Sequence, residues 1–257
     1  MDLRMKFNED EENYDKWRPT YVRELFDQII QYSNIDEISK ALEIGIGTGQ
    51  ATLPILKTGA QVTAIEIGAK LAEYSKQKFA SYCNFEVVNV DFEDFFSHDQ
   101  TFNLIYSATA FHWIPEEVGY TKLFELLKPG GVLALFWNHP FVNRQDDILH
   151  NKIQEVYRKY KLFEDKHPVE FNEKDCAIIL NSLKKYGFSN CQSHLFYSVR
   201  QFTADEYIGL LNTYSDHRAL PKRIKKELET EISIVINDCG GILKVYDTID
   251  LYLAQKL

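Results

Sequence analysis

A glycine-rich segment, Glu43-Ile44-Gly45-Ile46-Gly47-Thr48-Gly49, has the residue types and spacing of a ligand-binding loop. It follows a short apolar run and precedes a helical pattern. Glycine tolerates positive φ and has no side chain, so backbone at Gly45 and Gly47 can lie directly against a ligand. In open α/β sheets, ligands bind at such strand-to-helix turns. The segment therefore predicts a small-ligand site.

Two phosphate-binding patterns fit this loop poorly. A dinucleotide fingerprint places a third glycine where this sequence has Gln50, and a P-loop requires a Gly-Lys-Ser/Thr triplet that is absent. The observed pattern is Glu-x-Gly-x-Gly-x-Gly. A tight strand-helix turn without a ligand stays open as an alternative.

Acidic residues end the next two predicted strands. Glu66 follows Val62-Thr63-Ala64-Ile65, and its carboxylate could accept two hydrogen bonds from a ribose diol. Asp91 follows the third strand and could accept a hydrogen bond from an adenine amino group, while Phe92 could stack on the ring. The alternative for Asp91 is a helix N-cap.

The glycine loop, Glu66 and Asp91 can form one site only if the fold brings the ends of their strands together. In the first half of the chain, strand and helix patterns alternate, and the strand patterns are too uniformly apolar for a one-sided sheet, which indicates a doubly wound parallel sheet. We predict strands at 41–44, 62–65, 85–88, 102–106 and 132–136, and helices at 50–56, 69–80 and 116–127.

After Trp137 the rhythm changes to mostly helical patterns. We therefore expect two regions: a ligand-binding core with an N-terminal arm over residues 1–137, and a helical cap over residues 138–257. The cap is interleaved with the last two strands of the sheet. The predicted helices are 146–160, 172–186, 203–213 and 221–238, and the predicted strands are 191–200 and 245–253.

Four motifs occur in order: the glycine loop, Glu66, Asp91 and Leu126-Leu127-Lys128-Pro129-Gly130-Gly131. Over roughly residues 14–137 the chain thereby resembles the class I methyltransferases that use S-adenosylmethionine (SAM). The resemblance implies a Rossmann-like, mostly parallel seven-stranded sheet and a SAM site. The implied cofactor-binding residues are Tyr14, Arg18, Glu43, Gly45, Gly47, Gly49, Glu66, Ile67, Asp91, Phe92, Ser107 and Ala108.

The resemblance also implies a role for each group. The three glycines would approach the methionine part of SAM, Glu66 would hold the ribose, and Asp91 with Phe92 would hold the adenine. Ser107 and Ala108 would lie under the sulfonium. The segment Tyr14-Asp15-Lys16-Trp17-Arg18-Pro19-Thr20-Tyr21 resembles a lead-in of the small-molecule branch, where it covers the cofactor. There Arg18 would pair with the SAM carboxylate and Tyr14 would line the pocket; an ordinary segment preceding a helix is the alternative.

The segment after the fourth strand, Tyr106-Ser107-Ala108-Thr109-Ala110-Phe111-His112-Trp113, lacks the Pro-Pro motif of DNA amino-methyltransferases. Its His112-Trp113 pair resembles the branch that includes trans-aconitate and other small-acid O-methyltransferases. Trp113 could favour a sulfonium by cation-π contact. His112 could accept a proton or orient an oxygen. A structural hydrogen bond for His112 and a core position for Trp113 are the alternatives.

Polar residues of the predicted cap are candidates for binding the methyl acceptor, and most lie between two predicted helices, within Leu211–Pro221. They are Arg200, Tyr214, Ser215, His217 and Arg218. A carboxylic acid acceptor is ionised at neutral pH and needs a cation or donors to place it. We assign Tyr214 and Arg218 to this role, beside His112 and Trp113, as the predicted catalytic residues. A capped helix-helix loop is the alternative. Trp137-Asn138-His139, after strand five, should also face the cleft.

Composition narrows the class of partner. The net charge of −9 and the acids that follow the basic run Lys222–Lys226 argue against nucleic acid and predict i,i+4 ion pairs. Four scattered cysteines without a Cys-x-x-Cys pair predict no metal site and buried free thiols. The apolar runs are shorter than a membrane span, and the acidic N-terminus is unlike a signal peptide, so we expect a cytoplasmic location. We also expect the protein to be a monomer or homodimer.

We therefore expect a SAM-dependent methyltransferase that acts on a small-molecule acceptor, at a carboxylate or hydroxyl oxygen. Two alternatives come from different classes. A nicotinamide-dependent oxidoreductase would share the sheet and the ribose-binding acid. A non-catalytic SAM-binding protein would share the whole donor site.

Overall fold

The computed structural model describes residues 11–160 and 169–257. Its centre is a seven-stranded sheet in the order β3-β2-β1-β4-β5-β7-β6, in which only β7 runs antiparallel to its neighbours β5 and β6. This order confirms the predicted mostly parallel, doubly wound fold. The strands are β1 (Lys40–Ile44), β2 (Gln61–Glu66), β3 (Phe85–Asn89), β4 (Phe102–Ala108), β5 (Leu127–Phe141), β6 (Ser189–Phe202) and β7 (Leu243–Gln255).

The α-helices of the described residues lie on both faces of the sheet and beyond its carboxyl edge. They are α1 (Glu11–Trp17), α2 (Arg23–Ser33), α3 (Thr52–Leu56), α4 (Ala69–Lys78), α5 (Glu116–Leu126), α6 (Ile148–Lys159), α7 (Ala177–Lys185), α8 (Ala204–Leu211), α9 (Ser215–Ala219) and α10 (Lys222–Asp238). Local side chains determine some of their ends. Asp147 accepts from the first backbone amides of α6, and Thr203 with Glu206 forms a capping box on α8.

Two apolar clusters cover the two faces of the sheet. One joins the strands to α2 and α3 through residues such as Leu25, Ile29 and Ile55. The other joins them to α5 and α7 through Leu123 and Leu183. Helix α7 therefore packs on the sheet beside β6 and β7. The sequence had predicted this helix, over residues 172–186, as part of the cap.

A third cluster forms the cap, which we define as α6, α8, α9 and α10. Ile153, Leu210 and Ile232 are buried together in it. Helix α1, which the sequence analysis treated as part of an arm, packs on this cap because the Trp17 ring lies against the backbone of Gly209. The Asn13 side-chain amide also donates to the Gly209 carbonyl at 3.2 Å.

Strand β5 is much longer than its predicted core of 132–136. The Gly130 amide donates to the Lys256 carbonyl, and the Lys256 amide donates to the Gly131 carbonyl. Pairing with β7 therefore draws the Pro-Gly-Gly segment into the strand, where the sequence predicted only the end of a helix. Long-range pairing of this kind leaves no local signal.

Several smaller expectations are also tested by the structure. The pair Arg223–Glu227 forms at 2.9 Å and Lys225–Glu229 at 3.9 Å, as predicted for this helix. The four cysteines are free, but only Cys176 is buried; Cys83 is exposed and Cys191 and Cys239 are partly exposed, so the prediction of buried thiols was wrong for these three. None of the described helices is long and apolar enough to cross a membrane. The acidic segment 1–10, on which the expected location rests, lies outside the described residues.

A buried ion pair joins β6 to β7 under the cap. Two nitrogens of the Arg200 guanidinium, Nε and Nη2, donate to the Asp247 carboxylate, and the Nη2 bond is 2.8 Å long. The Asp247 side chain has no solvent exposure. Asn138 on β5 donates to the same carboxylate at 2.9 Å. Three adjacent strands are therefore linked by one carboxylate.

We expect Asp247→Asn to lower the free energy of unfolding by about 3 kcal/mol or more, because it leaves the Arg200 charge without its counterion. Urea denaturation measures the change. The matched control Glu227→Gln removes an exposed i,i+4 pair and should cost less than about 0.5 kcal/mol. Equal losses in the two variants would contradict a structural role for the buried pair.

Candidate functional site

A cleft of about 1620 Å³ lies at the carboxyl ends of the parallel strands, between the sheet and the cap. The strand order reverses direction between β1 and β4, which is where ligands bind in open α/β sheets. Residues from the glycine loop, the ends of β2, β3 and β4, and helices α1, α6 and α9 line its wall.

The glycine loop takes the conformation that its sequence predicts. Gly45, Gly47 and Gly49 have φ of +70°, +57° and +82°. A Cβ on Gly45 would lie 2.5 Å from the Ala110 Cβ, so that position also requires the missing side chain. Gly45 and Gly47 line the cleft with bare backbone.

The Glu66 carboxylate holds this loop in place. One oxygen accepts from the Gly47 amide at 2.9 Å, and the other accepts from the Gly68 amide at 2.8 Å. Burial raises the pKa of Glu66, although these amide donors favour the ionised form. The side chain keeps 7% exposure at the cleft wall. A carboxylate in this position can accept hydrogen bonds from a ligand with its remaining lone pairs.

The end of β3 supplies the next part of the wall, where Asp91 and Phe92 line the cleft beside Ile67. Asp91 also accepts from the Glu93 amide at 3.3 Å through Oδ1. It therefore caps the following turn and faces the cleft, so the two interpretations from sequence are both compatible with the geometry.

Arg18 and two tyrosines form the opposite wall. The guanidinium lies between the rings of Tyr14 and Tyr214, at 4.8 and 4.9 Å from their centroids, and Nη2 donates to the Thr213 carbonyl at 2.9 Å. This wall is anchored to α4, since Asp15 accepts from Tyr74 at 3.0 Å and from Lys78 at 2.6 Å.

His112 and Trp113 lie on a short 3₁₀ helix (Phe111–Trp113) after β4, and both line the cleft. Trp137 Nε1 donates to His112 Nδ1 at 3.0 Å. The pKa of His112 is lowered, first by desolvation and then by the positive charge of Arg18. Trp137 and His139 do not line the cleft, contrary to their expected positions, and Asn138 borders a small recess beside the glycine loop.

Four predicted site residues do not line the cleft. Gly49 faces the core, because its Cβ would lie 2.3 Å from the Phe79 ring. Ser107 is buried and donates to the Ile44 carbonyl at 2.9 Å. Arg218 lies on α9 outside the lining set, while its neighbour His217 lines the cleft.

Glu43 is the fourth predicted site residue that does not line the cleft. Its Oε2 accepts from the Thr52 hydroxyl at 2.7 Å and from the Tyr106 hydroxyl at 2.9 Å, beneath the loop. It borders only the small recess. Burial raises its pKa to about 7. Glu43 therefore supports the loop from below and leaves the cleft wall to Glu66.

The wall that α6 contributes was not predicted from the sequence. Gln154, Tyr157 and Arg158 of α6 line the cleft there, together with Arg144 from the segment before the helix. The Tyr157 hydroxyl lies 3.3 Å from His217 Nε2, which joins α6 to α9. The 3.6-residue period of α6 was visible in the sequence, but its buried face could not be distinguished from ordinary cap core without knowing what it faces.

None of the acidic, histidine and cysteine side chains in the described ranges gather into a group that could hold a metal ion. The chemistry of the wall is instead that of hydrogen-bond donors and acceptors with aromatic rings. A bare loop and a buried acid at the reversal of the strand order are compatible with the nucleoside-binding side of a Rossmann-like methyltransferase.

Comparisons with known proteins agree with this class. Residues 41–131 match the family model of a methyltransferase domain. An uncharacterized methyltransferase of Schizosaccharomyces pombe is 25% identical over 235 residues, which cover 90% of this chain and 86% of that protein.

Solved structures show the same fold. A protein from Anaeromyxobacter dehalogenans, provisionally described as a type II methyltransferase, aligns with TM-score 0.64 and 20% identity, covering 93% of this chain and 98% of that one. Phosphoethanolamine N-methyltransferase 2 of Haemonchus contortus, solved with phosphomonomethylethanolamine and S-adenosylhomocysteine, aligns with TM-score 0.57 and 12% identity, covering 100% of this chain and 60% of that one.

These comparisons support a SAM-dependent methyltransferase with SAM as its methyl donor, and the match to the methyltransferase domain covers residues 41–131. Neither an oxidoreductase nor a non-catalytic SAM-binding protein finds support in these comparisons. Membership of the branch that includes trans-aconitate methyltransferases stays a prediction.

The raised pKa of Glu43 predicts a pH effect on stability. The folded protein binds the proton of the Glu43 carboxyl more tightly than the unfolded chain does. The contribution of Glu43 to the free energy of unfolding therefore falls as pH rises from about 4.5 to about 7. Glu43→Gln keeps an oxygen acceptor and removes the titration. Between pH 5 and pH 8, the stability of the wild type relative to Glu43→Gln should fall by about 2 kcal/mol. Urea denaturation at both pH values measures it, and a difference independent of pH would contradict it.

Proposed function

We propose that the cleft binds SAM along the glycine loop and presents a small-molecule acceptor to it, with an oxygen as the methylated atom. One observation carries the proposal: bare backbone at Gly45 and Gly47 lies beside Glu66 and Asp91, at the ends of neighbouring strands and in one cleft. These groups match the parts of an adenosyl amino acid in chemical type and in order.

The donor fits the residues that are present. Glu66 is buried, ionisable and already fixed by two amides, so it can accept from the ribose hydroxyls without reorganising. Asp91 and Phe92 would hold the adenine. Arg18 would meet the amino-acid carboxylate, and Tyr14 would close the pocket above Gly47, whose Cβ position is 3.5 Å from the Tyr14 ring.

When bound, SAM supplies an electrophilic methyl group on a sulfonium. The chain contributes orientation and exclusion of water, which account for much of the rate in such displacements. Ala108, at the end of β4, would lie beneath the sulfonium. Trp113 would face it from the 3₁₀ helix, where an aromatic ring favours a cation.

The acceptor would lie toward the cap. Tyr157 and Tyr214 line that end, and burial raises the pKa of both phenols, so they stay neutral and can donate hydrogen bonds. Arg144 and Arg158 line the same wall, where Arg144 pairs with Asp146 at 3.6 Å. Donors and cations of this kind favour an oxygen-rich, anionic acceptor, as in the small-acid branch that the sequence resembles. Arg218 is not needed in this account.

We extend the proposal to the two regions of the chain. Residues 1–137 would bind the donor and residues 138–257 the acceptor, with α7 serving the sheet. The net charge of −9 supports a small molecule over a nucleic acid, since phosphate backbones require a basic surface. A cytoplasmic location and a monomeric or homodimeric state stay predictions of the sequence.

Binding of S-adenosylhomocysteine tests the donor half. We expect Glu66→Gln to weaken it by about 1–3 kcal/mol, the cost of a lost charge-assisted partner. Gly47→Val should abolish it, because a branched side chain at positive φ obstructs the loop. Isothermal titration calorimetry measures both. The exposed Glu117→Gln is the matched control, and NAD should not bind. Unchanged affinity in Gly47→Val would refute the placement of the donor.

Methyl release from SAM over a panel of acceptors tests the other half. We expect turnover with small carboxylic or hydroxy acids and none with their amine analogues of equal size. Mass spectrometry of the product identifies the methylated atom. Exclusive methylation of amines or of nucleic acid would contradict an oxygen acceptor and leave the donor site intact.

A further inference from the structure

One hydrogen bond behind the cleft wall determines what His112 can do. Trp137 Nε1 donates to His112 Nδ1 at 3.0 Å. An indole N–H can only donate, so Nδ1 of His112 must be unprotonated to accept it. The single proton of the neutral ring is therefore on Nε2, the nitrogen that does not contact Trp137.

Trp137 is itself held from behind. Its backbone amide donates to Asp250 Oδ1 at 2.8 Å, and its ring packs edge-on against Tyr252, with centroids 5.9 Å apart. The Tyr252 hydroxyl donates to Asp250 Oδ2 at 2.8 Å, and His139 Nε2 lies 3.1 Å from the same oxygen. Asp250 is 2% exposed, so the carboxylate at the centre of this support is shielded from water.

We propose that Trp137 is a positioning residue that keeps His112 as a fixed Nε2–H donor toward the methyl acceptor, so that His112 favours an acceptor oxygen from which it removes no proton. The inference rests on the proposed function for its acceptor, but the state of His112 is a property of the protein alone.

The lone pairs of the acceptor atom favour oxygen in this arrangement. A carboxylate oxygen can accept the His112 hydrogen bond with one lone pair and keep another for the methyl group. An amine nitrogen has one lone pair, and accepting a hydrogen bond would occupy it. A donor at this wall thus selects against amines. An anionic oxygen also has no proton to lose, so methylation leaves no proton for His112 to take.

The charges around the ring act in the same direction. Desolvation and the Arg18 guanidinium both lower the pKa of His112, so the neutral form prevails at neutral pH. Protonation would also place a second N–H against the Trp137 indole N–H, because both ring nitrogens of the cation are donors.

Histidine NMR on the ligand-free protein tests the tautomer. We expect the His112 resonances, assigned by their loss in His112→Gln, to report a proton on Nε2 in the wild type. Trp137→Phe keeps an aromatic ring but removes the donor. It should mix the two tautomers and raise the midpoint of the His112 titration by about 0.5–1 pH unit. Trp17→Phe, at another tryptophan, should change neither. A wild-type ring protonated on Nδ1, or an unchanged Trp137→Phe spectrum, would overturn the proposal.

Methyl transfer distinguishes a donor from a base. Gln can donate from a position close to histidine Nε2 but cannot take a proton. With a carboxylate acceptor, His112→Gln should lose about tenfold or less in kcat/KM, and His112→Leu about a hundredfold or more. Equal losses in both variants, with a wild-type rate that rises through the His112 titration, would make His112 a base. If no acceptor is turned over, the proposed function fails while the NMR result still decides the tautomer.

Discussion

One buried carboxylate holds the glycine loop beside the cleft, where we propose that the donor binds. Glu66 accepts hydrogen bonds from two backbone amides. One is that of Gly47, in the glycine loop after β1, and the other is that of Gly68, after β2 at the start of α4. Its burial disfavours the charge, and the two amides compensate for that cost. The Ser75 hydroxyl also donates to the Gly47 carbonyl at 2.6 Å, so hydrogen bonds from side chains outside the loop fix its position while its backbone stays bare. A ligand at Gly45 and Gly47 therefore meets a preorganised surface.

A second set of hydrogen bonds lies below the glycine loop and supports it without facing the cleft. Glu43, Thr52 and Tyr106 form hydrogen bonds beneath it, and Ser107 ties β4 to the end of β1. The first acid of the glycine motif is thus structural in this chain, whereas the acid one strand away is exposed to the cleft. The cap completes the site from the other side through α6 and α9, with α1 anchored to both the cap and α4.

The sequence predicted the parts of the molecule that depend on local pattern. Bare glycines, acids at strand ends and uniformly apolar strands indicated the sheet, the loop and Glu66 without any tertiary information. It failed where long-range packing decides. The Pro-Gly-Gly segment is part of strand β5 because the end of the chain pairs with it. Helix α7 packs on the sheet and not in the cap. Gly49 makes room for the Phe79 ring and does not face the cleft. The α6 wall and the Trp137–His112 hydrogen bond link segments 25 or more residues apart, and no spacing rule reveals such contacts.

The central claim is that an adenosyl amino acid lies on the glycine loop with its ribose on Glu66. A crystal structure of the protein with saturating S-adenosylhomocysteine tests it most directly. The account predicts ligand density in the cleft, with both ribose hydroxyls within hydrogen-bond distance of the Glu66 carboxylate. Ligand bound elsewhere, or a ribose held by other residues while Glu66 contacts only Gly47 and Gly68, would contradict it.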